Sequence, residues 1–449
     1  MTRKLTEIDR LPPKDTPSGW VPVNEFHVIG RPPLFDRVSS FDWAVVGAGF
    51  TGLAAARRLA ELHPDHSIAL IDAMPVGWGA SGRNSGFIID LPHKFDLDND
   101  GADRLHAILR LNSTAIADLR RHVEAHGIDC EWSPAGKLQG AVRARGTGKL
   151  RSFIHALERI GQPYELLERE AVAQITGTAY YAAAVRTPGC VLMNPVKLTR
   201  GLARSMPENV RVMDGCPVER FTREGRSVSL TLRSQGALMD ISATKVLLCT
   251  NAFTPEFGFL RHRIVPVITF ASMTRPLTDT EMEVFGGHLD WGLTPADPGG
   301  TTLRMTQDRR LLVRNQYDYA GRYGVPDGDL DRVRAHHRAA FEKRYPKLTR
   351  VPFVSTWGGV CGLSRNHVSY FGEIAANVWN SSCHNGVGVA RGSISGRLLA
   401  EAASGHVSPL LKDMYAVSNT PALNPPDPFL SLGVRTRLKL AAWESREEV

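Results

Sequence analysis

The segment FDWAVVGAGFTGLAAARRLAELHPDHSIALID, residues 41–72, limits what this chain can fold into more than any other stretch. It opens on a buried-strand run, WAVV. Glycines follow at Gly47, Gly49 and Gly52, and then LAAARRLAEL places small and apolar residues on one helical face. HPD ends that helix, and SIALID is a second strand that stops at Asp72. A glycine triplet in this strand–turn–helix–strand context signals dinucleotide binding. The first glycine makes the tight turn, the second lets a pyrophosphate approach the backbone, and the third lets helix and strand pack closely. The helix N-terminus attracts phosphate charge, so Gly47, Ala48, Gly49, Phe50, Thr51 and Gly52 form the expected cradle. Asp72, with Ala73 beside it, falls where a carboxylate accepts hydrogen bonds from ribose hydroxyls.

The next stretch, GWGASGRNSGF (77–87), separates the possible dinucleotides. A nicotinamide-binding unit usually runs from the acid into another helical crossover. This chain enters a loop of small residues instead. Such a loop suits the ribityl chain and ring edge of a flavin, offering backbone N–H groups around Gly79 and Ala80. Ser81, Asn84 and Ser85 add polar side chains, and Arg83 is expected to face pyrophosphate or flavin. Near the other end, HNGVGV is a glycine turn and ARGSISGRLLAEAA a helix with small residues on one face. Gly386, Val387, Gly388 and Val389 supply close backbone there. The helix N-terminus after them favours negative charge on a reduced flavin ring.

Length and charge narrow the rest. The chain has 449 residues, too many for one compact core, which implies two domains or two interleaved ones. Its net charge of +8 comes from dispersed basic residues with no nucleic-acid-binding motif. Attraction of an anionic substrate or cofactor is the expectation, not nucleic acid. Six scattered cysteines form no CxxC pair, so reduced thiols and no metal site are expected. No apolar run reaches the length of a membrane span, and MTRKLTEIDRLPPKD has no hydrophobic signal region. A cytoplasmic protein is expected.

RPPL before the first strand, VVGAGFTGLAAA and GWGASGRNSG together resemble the D-amino-acid-oxidase-like family of FAD-dependent oxidoreductases. The resemblance is strongest to its gamma-glutamylputrescine oxidase and glycine–sarcosine oxidase branch, and it covers residues 31–405. It implies a Rossmann-type, glutathione-reductase-like FAD domain with a parallel sheet, interleaved with an α+β substrate domain carrying a mostly antiparallel sheet. The cofactor segments would be 41–95, 190–262 and 350–405, and the substrate segments 96–189 and 263–349. Residues 1–40 would be an extended arm and 406–449 a tail that turns basic and helical. RIVPVITFASMTRPL and RRLLVRNQYDYAG read as strands of the substrate domain. By resemblance, Val218 meets adenine, Thr250 and Asn251 close over the cofactor, and Trp357 borders the flavin.

The same resemblance implies chemistry. Flavin N5 takes hydride from the carbon beside an amine nitrogen. The resulting imine hydrolyses to a carbonyl, and oxygen reoxidises the flavin to give hydrogen peroxide. The substrate is a small amine or amino acid, and no obligatory side-chain base is needed. Hydroxy-acid oxidation would need one, with His384, His367 or His262 as candidates. Electron transfer to another acceptor, or FAD binding without turnover, are the other readings. Arg391, at the start of the flavin-facing helix, is a candidate for a substrate carboxylate. Arg314, Tyr317 and Tyr319 are candidates on a substrate-domain strand. Some relatives attach flavin through a cysteine near this region, but Cys361 falls off that position, so noncovalent FAD is expected. The lysine those relatives use toward oxygen is missing from residues 261–276, which hold Arg261, His262, Arg263 and Arg275.

Overall fold

A computed structural model describes residues 4–30, 39–92, 97–224, 227–325 and 328–449. The RPPL motif lies outside the described residues. Two large sheets organise the rest. In the first, Val378–Ser382, Ala237–Leu248, Ser39–Val46, Ile68–Ile71 and Val210–Met213 run parallel, in that spatial order. Val218–Glu224 and Ser227–Ser234 extend it antiparallel beside Ala237–Leu248. Both faces of the parallel core are covered, which is why WAVV and IALI are unbroken apolar runs. Side chains alternate between the faces. Trp43, Val45, Ile68 and Leu70 pack against helices Phe50–Leu62 and Ala390–Ala403. Ala44, Val46, Ala69 and Ile71 face the antiparallel extension and Phe257.

The second sheet has the order Phe353–Leu363, Val265–Thr274, Leu311–Tyr319, Thr302–Met305, Trp291–Pro295, Lys137–Ala141, Ala183–Thr187, Glu165–Glu168. All its pairings are antiparallel except Trp291–Pro295 with Lys137–Ala141. Both strands read from RIVPVITFASMTRPL and RRLLVRNQYDYAG are present and pair with each other. One stretch departs from the expected segments. Phe353–Leu363, expected with the cofactor unit, hydrogen-bonds along Val265–Thr274 and so belongs to the second sheet. Its apolar residues fit either sheet, and only the pairing partner decides.

The N-terminal arm is tied to both sheets. Lys4–Glu7 adds an edge strand to the first sheet by pairing with Val218–Glu224. Trp20 is fully buried with Val21, Phe26 and Trp357. The tail forms helices Pro409–Val417 and Phe429–Glu444. Its last residues dock on the second sheet's side. Glu448 accepts hydrogen bonds from Val142 N (3.2 Å) and Asp297 N (3.4 Å), and Arg344 Nη2 donates to its carbonyl oxygen at 2.9 Å. Among the described residues no helix is long and apolar enough to cross a membrane.

Candidate active site

Where the two sheets meet lies a cavity of about 370 Å³. Its floor is the glycine turn that ends Ser39–Val46. Gly47 has φ +103°, and a Cβ there would sit 2.6 Å from Cys249 O. Gly52 does not line the cavity; its Cβ would fall 1.7 Å from Gly47 O, so it sets the helix–strand approach. Gly47, Ala48, Gly49, Phe50 and Thr51 all line the wall. A second helix end arrives beside the first. Gly386, Val387, Gly388 and Val389 line the cavity just before Ala390–Ala403. The two helices touch through backbone, since a Cβ on Gly396 would lie 1.9 Å from Thr51 O. Two positive helix ends therefore face one space. Cβ atoms at Gly79 and Gly388 would meet nothing within 4 Å, so side chains there would occupy the room a dinucleotide needs.

Asp72 and Ala73 line the same wall. Asp72 accepts from Ala48 N at 2.7 Å and from Met74 N at 2.9 Å, leaving lone pairs for further donors. Burial pushes its carboxyl up to about 6, against the pull of those two N–H groups. Ser81 Oγ accepts from Phe50 N at 3.1 Å, so the small-residue loop is tied to the first helix N-terminus. Ser85, Ala80, Val218, Thr250 and Asn251 also border the cavity. Asn251, at φ +44°, accepts from Cys383 N at 3.0 Å and pins its turn to the last parallel strand.

Not every expected contact is free for a ligand. Arg83 lines the cavity, but its guanidinium is engaged by the protein itself. Its Nη2 pairs with Asp15 Oδ1, Nη1 donates to Gly358 O and Nε to Trp78 O, each at 2.6 Å. A buried guanidinium must satisfy its donors, and the arm and second sheet do so. Asn84 also lines the cavity and bonds within its own loop, to Ser81 O (2.7 Å) and from Gly86 N (2.9 Å). Trp357 does not border the cavity. It shares a strand face with Gly359 and Cys361, which do, but the arm covers its end: a Cβ on Gly19 would be 3.0 Å from its ring. Its Nε1 donates to Arg83 O at 3.0 Å. Arg391 also lies outside the cavity lining, which ends at Val389, just before the helix begins. Among the described residues its buried Nη1 has no hydrogen-bond partner, and burial, then Arg104, lowers its pKa to about 10.

From the second sheet come Thr269, Thr294, Thr302 and Arg314. Arg314 stands opposite Thr302 in the ladder, with Nη1 3.5 Å from its Oγ1. A bulge at Gln316, φ +64°, turns Tyr317 to the Arg314 side of the strand. The Arg314 guanidinium lies 5.0 Å from the Tyr317 ring centroid, yet Tyr317 donates to Pro298 O and is not in the cavity wall. His384 is in it. Its Nε2 lies 3.1 Å from Thr51 Oγ1, and burial, then Arg391, lowers its pKa to about 4. Cys361 lines the wall with its thiol pushed up by burial, its Sγ 3.4 Å from Val267 O. The wall residues Thr269, Thr294 and Thr302 were not singled out from sequence. The sole local signal for them is β-branched polar residues within apolar strands.

Residues 42–402 match the family model described as FAD dependent oxidoreductase. The chain is 26% identical to the gamma-glutamylputrescine oxidoreductase of Escherichia coli (strain K12) over 373 residues, covering 80% of this chain and 83% of that protein. It is 26% identical to the probable oxidoreductase OrdL of Rhizobium meliloti (strain 1021) over 390 residues, 83% and 85% of the two. Among solved structures, glycine oxidase from Geobacillus kaustophilus superposes with a TM-score of 0.69 at 18% identity, covering 83% of this chain and 96% of that one. L-Proline dehydrogenase from P. horikoshii gives 0.67 at 17%, with the same coverage. These structures share the two-sheet fold. The glycine cradle, the acid at the second strand's end and the family match over most of the length agree: the chain belongs to the FAD-dependent oxidoreductase family and takes FAD as its cofactor.

Proposed function

We propose that this enzyme oxidises a small amine or amino acid at the carbon beside its nitrogen, giving an imine that water hydrolyses to a carbonyl product. The observation that carries the reading is the second-sheet wall: Arg314 with Thr269, Thr294 and Thr302, and no carboxylate among the wall residues from that sheet. Arg314 offers a planar fork to a substrate carboxylate. The uncharged hydroxyls offer hydrogen bonds to the amine without a charge of their own, and the low-dielectric cavity favours the free base; the carboxylates in the wall, Asp72 and Glu256, come from outside that sheet. His384, held neutral and weakly basic, suits a reaction that needs no strong side-chain base better than it suits hydroxy-acid oxidation. The names of the relatives, gamma-glutamylputrescine oxidoreductase and glycine oxidase, support the same substrate class.

Bound FAD supplies the two-electron acceptor. Gly47 to Thr51 and Ser81 would hold its phosphates, Asp72 and Ala73 a ribose, Val218 the adenine. Thr250, Asn251 and Gly386 to Val389 would frame the rest. Attachment is noncovalent in this reading: burial raises the Cys361 thiol's pKa, which disfavours the nucleophilic thiolate, and its Sγ lies 3.4 Å from Val267 O. Molecular oxygen is the proposed final acceptor, in a cytoplasmic setting. A second reading, a dehydrogenase serving another acceptor, is favoured by one observation. Arg261, His262, Arg263 and Arg275 are all outside the cavity wall, and Arg275 is paired with Glu281 at 2.7 Å.

An anaerobic panel of amines, amino acids and hydroxy acids, read by loss of flavin absorbance, tests the substrate class. Bleaching by lactate-type compounds alone, or by nothing, overturns it. Admitting air to the reduced enzyme then decides the acceptor: a slow return of the oxidised spectrum removes oxygen from the proposal.

A further inference from the structure

The tail helix Phe429–Glu444 has two apolar sides. Leu430, Val434, Leu438 and Ala441 are partly buried, and the helix packs on Leu311–Tyr319, the strand that carries Arg314. On the other side Phe429, Leu432, Leu440 and Trp443 form a stripe along the helix, each between 46% and 68% exposed. At helical spacing these residues fall within a narrow arc, with Thr436 between them. Cations flank the stripe, Arg435 and Lys439 on one side and Arg437 on the other, and no acid interrupts Phe429 to Trp443. Glu444, which follows, pairs with Arg145 at 3.1 Å and more loosely with Arg437 at 3.9 Å, leaving Arg435 and Lys439 as the stronger cationic flank. Arg446 lies 4.5 Å from the Trp443 ring centroid.

We infer that this face seats the protein on an anionic lipid bilayer surface. An in-plane helix of this kind sinks its aromatic and aliphatic stripe into the headgroup boundary. Basic side chains lay their stems along that stripe and reach lipid phosphates with their heads. The stripe spans about 20 Å of helix, so the helix axis lies parallel to the surface. Charge decides between occupants. A second copy of a chain carrying +8 would bring cations against cations, whereas an anionic surface complements both flanks.

Co-sedimentation of the FAD-loaded full chain with vesicles tests this, comparing phosphatidylcholine alone with phosphatidylcholine containing one third phosphatidylglycerol. The full chain pellets with the anionic vesicles, and added salt releases it. Arg435→Gln and Lys439→Gln each weaken binding roughly fivefold. Leu432→Glu combined with Trp443→Glu abolishes binding while flavin absorbance and far-UV dichroism are unchanged. The proposal is overturned if the wild type stays in the supernatant, or if the double variant binds equally well. It is also overturned if sedimentation velocity finds a dimer that the double variant dissociates, which assigns the stripe to a second copy.

Discussion

Arg83 carries a full charge into the interior and is held there by three separate segments: Asp15 of the arm, Trp78 of its own loop and Gly358 of the second sheet. Burial raises the Asp15 pKa and lowers that of Arg83, and their attraction only partly offsets this. Removing one partner of such a pair strands the other, so Asp15→Ala should cost about 2–3 kcal/mol in urea unfolding. A cost near zero would mean that water already solvates the guanidinium. Arg314 is the residue to separate binding from folding. Arg314→Gln should raise KM about 100-fold for amino acids and leave it unchanged for simple amines, since only the carboxylate loses its partner. An equal effect on both classes would sink the assignment. His337 governs an acid limit. Its Nδ1 lies 2.8 Å from Ser272 Oγ, and burial takes its pKa from 6.5 to about 4. Between those values the unfolded chain binds the extra proton, so stability is complete above pH 6.5 and falls on acidification, by at most about 3 kcal/mol near pH 4. His337→Gln should flatten the slope of the urea midpoint between pH 7 and 4.5; an unaltered slope assigns it to other groups.

At the scale of elements, the cavity depends on how closely two helices approach. Phe50–Leu62 and Ala390–Ala403 cross with Gly396 against the Thr51 carbonyl. A methyl group there has no room without separating the backbones. Gly396→Ala should therefore lower stability by about 2–4 kcal/mol and weaken FAD retention together. Thermal melts with and without added FAD check this, and a variant with normal retention would show that the helices can slide apart. In the second sheet, strict alternation would have put Arg314 and Tyr317 on opposite faces. The bulge at Gln316 brings them together. Nothing in RRLLVRNQYDYAG marks the bulged position, because the extra residue is set by pairing with Val265–Thr274.

The whole molecule is closed by its ends. The arm supplies Lys4–Glu7 to the first sheet and Trp20 to the junction with the second, and Glu448 locks the tail to Val142 and Asp297. Trp20→Ala should cost about 3–5 kcal/mol, read from denaturant midpoints, as a fully buried indole leaves a cavity. A loss under 1 kcal/mol would show that the arm is dispensable. Local pattern determined a great deal here: the strand–glycine–helix–acid unit, its dinucleotide chemistry, the small-residue loop and the glycine turn before the last long helix. Each is encoded within a few tens of residues, where periodicity and turn chemistry act directly. Tertiary structure alone decided that Arg83 ties its loop to the arm and the second sheet, that Trp357 is roofed by the arm and that Arg391 stands outside the wall. It also decided that Phe353–Leu363 joins the second sheet and that Arg314 shares a cavity wall with three threonines. Those outcomes rest on partners far away in the chain, and a side chain's hydrogen-bonding needs do not specify which distant segment will meet them.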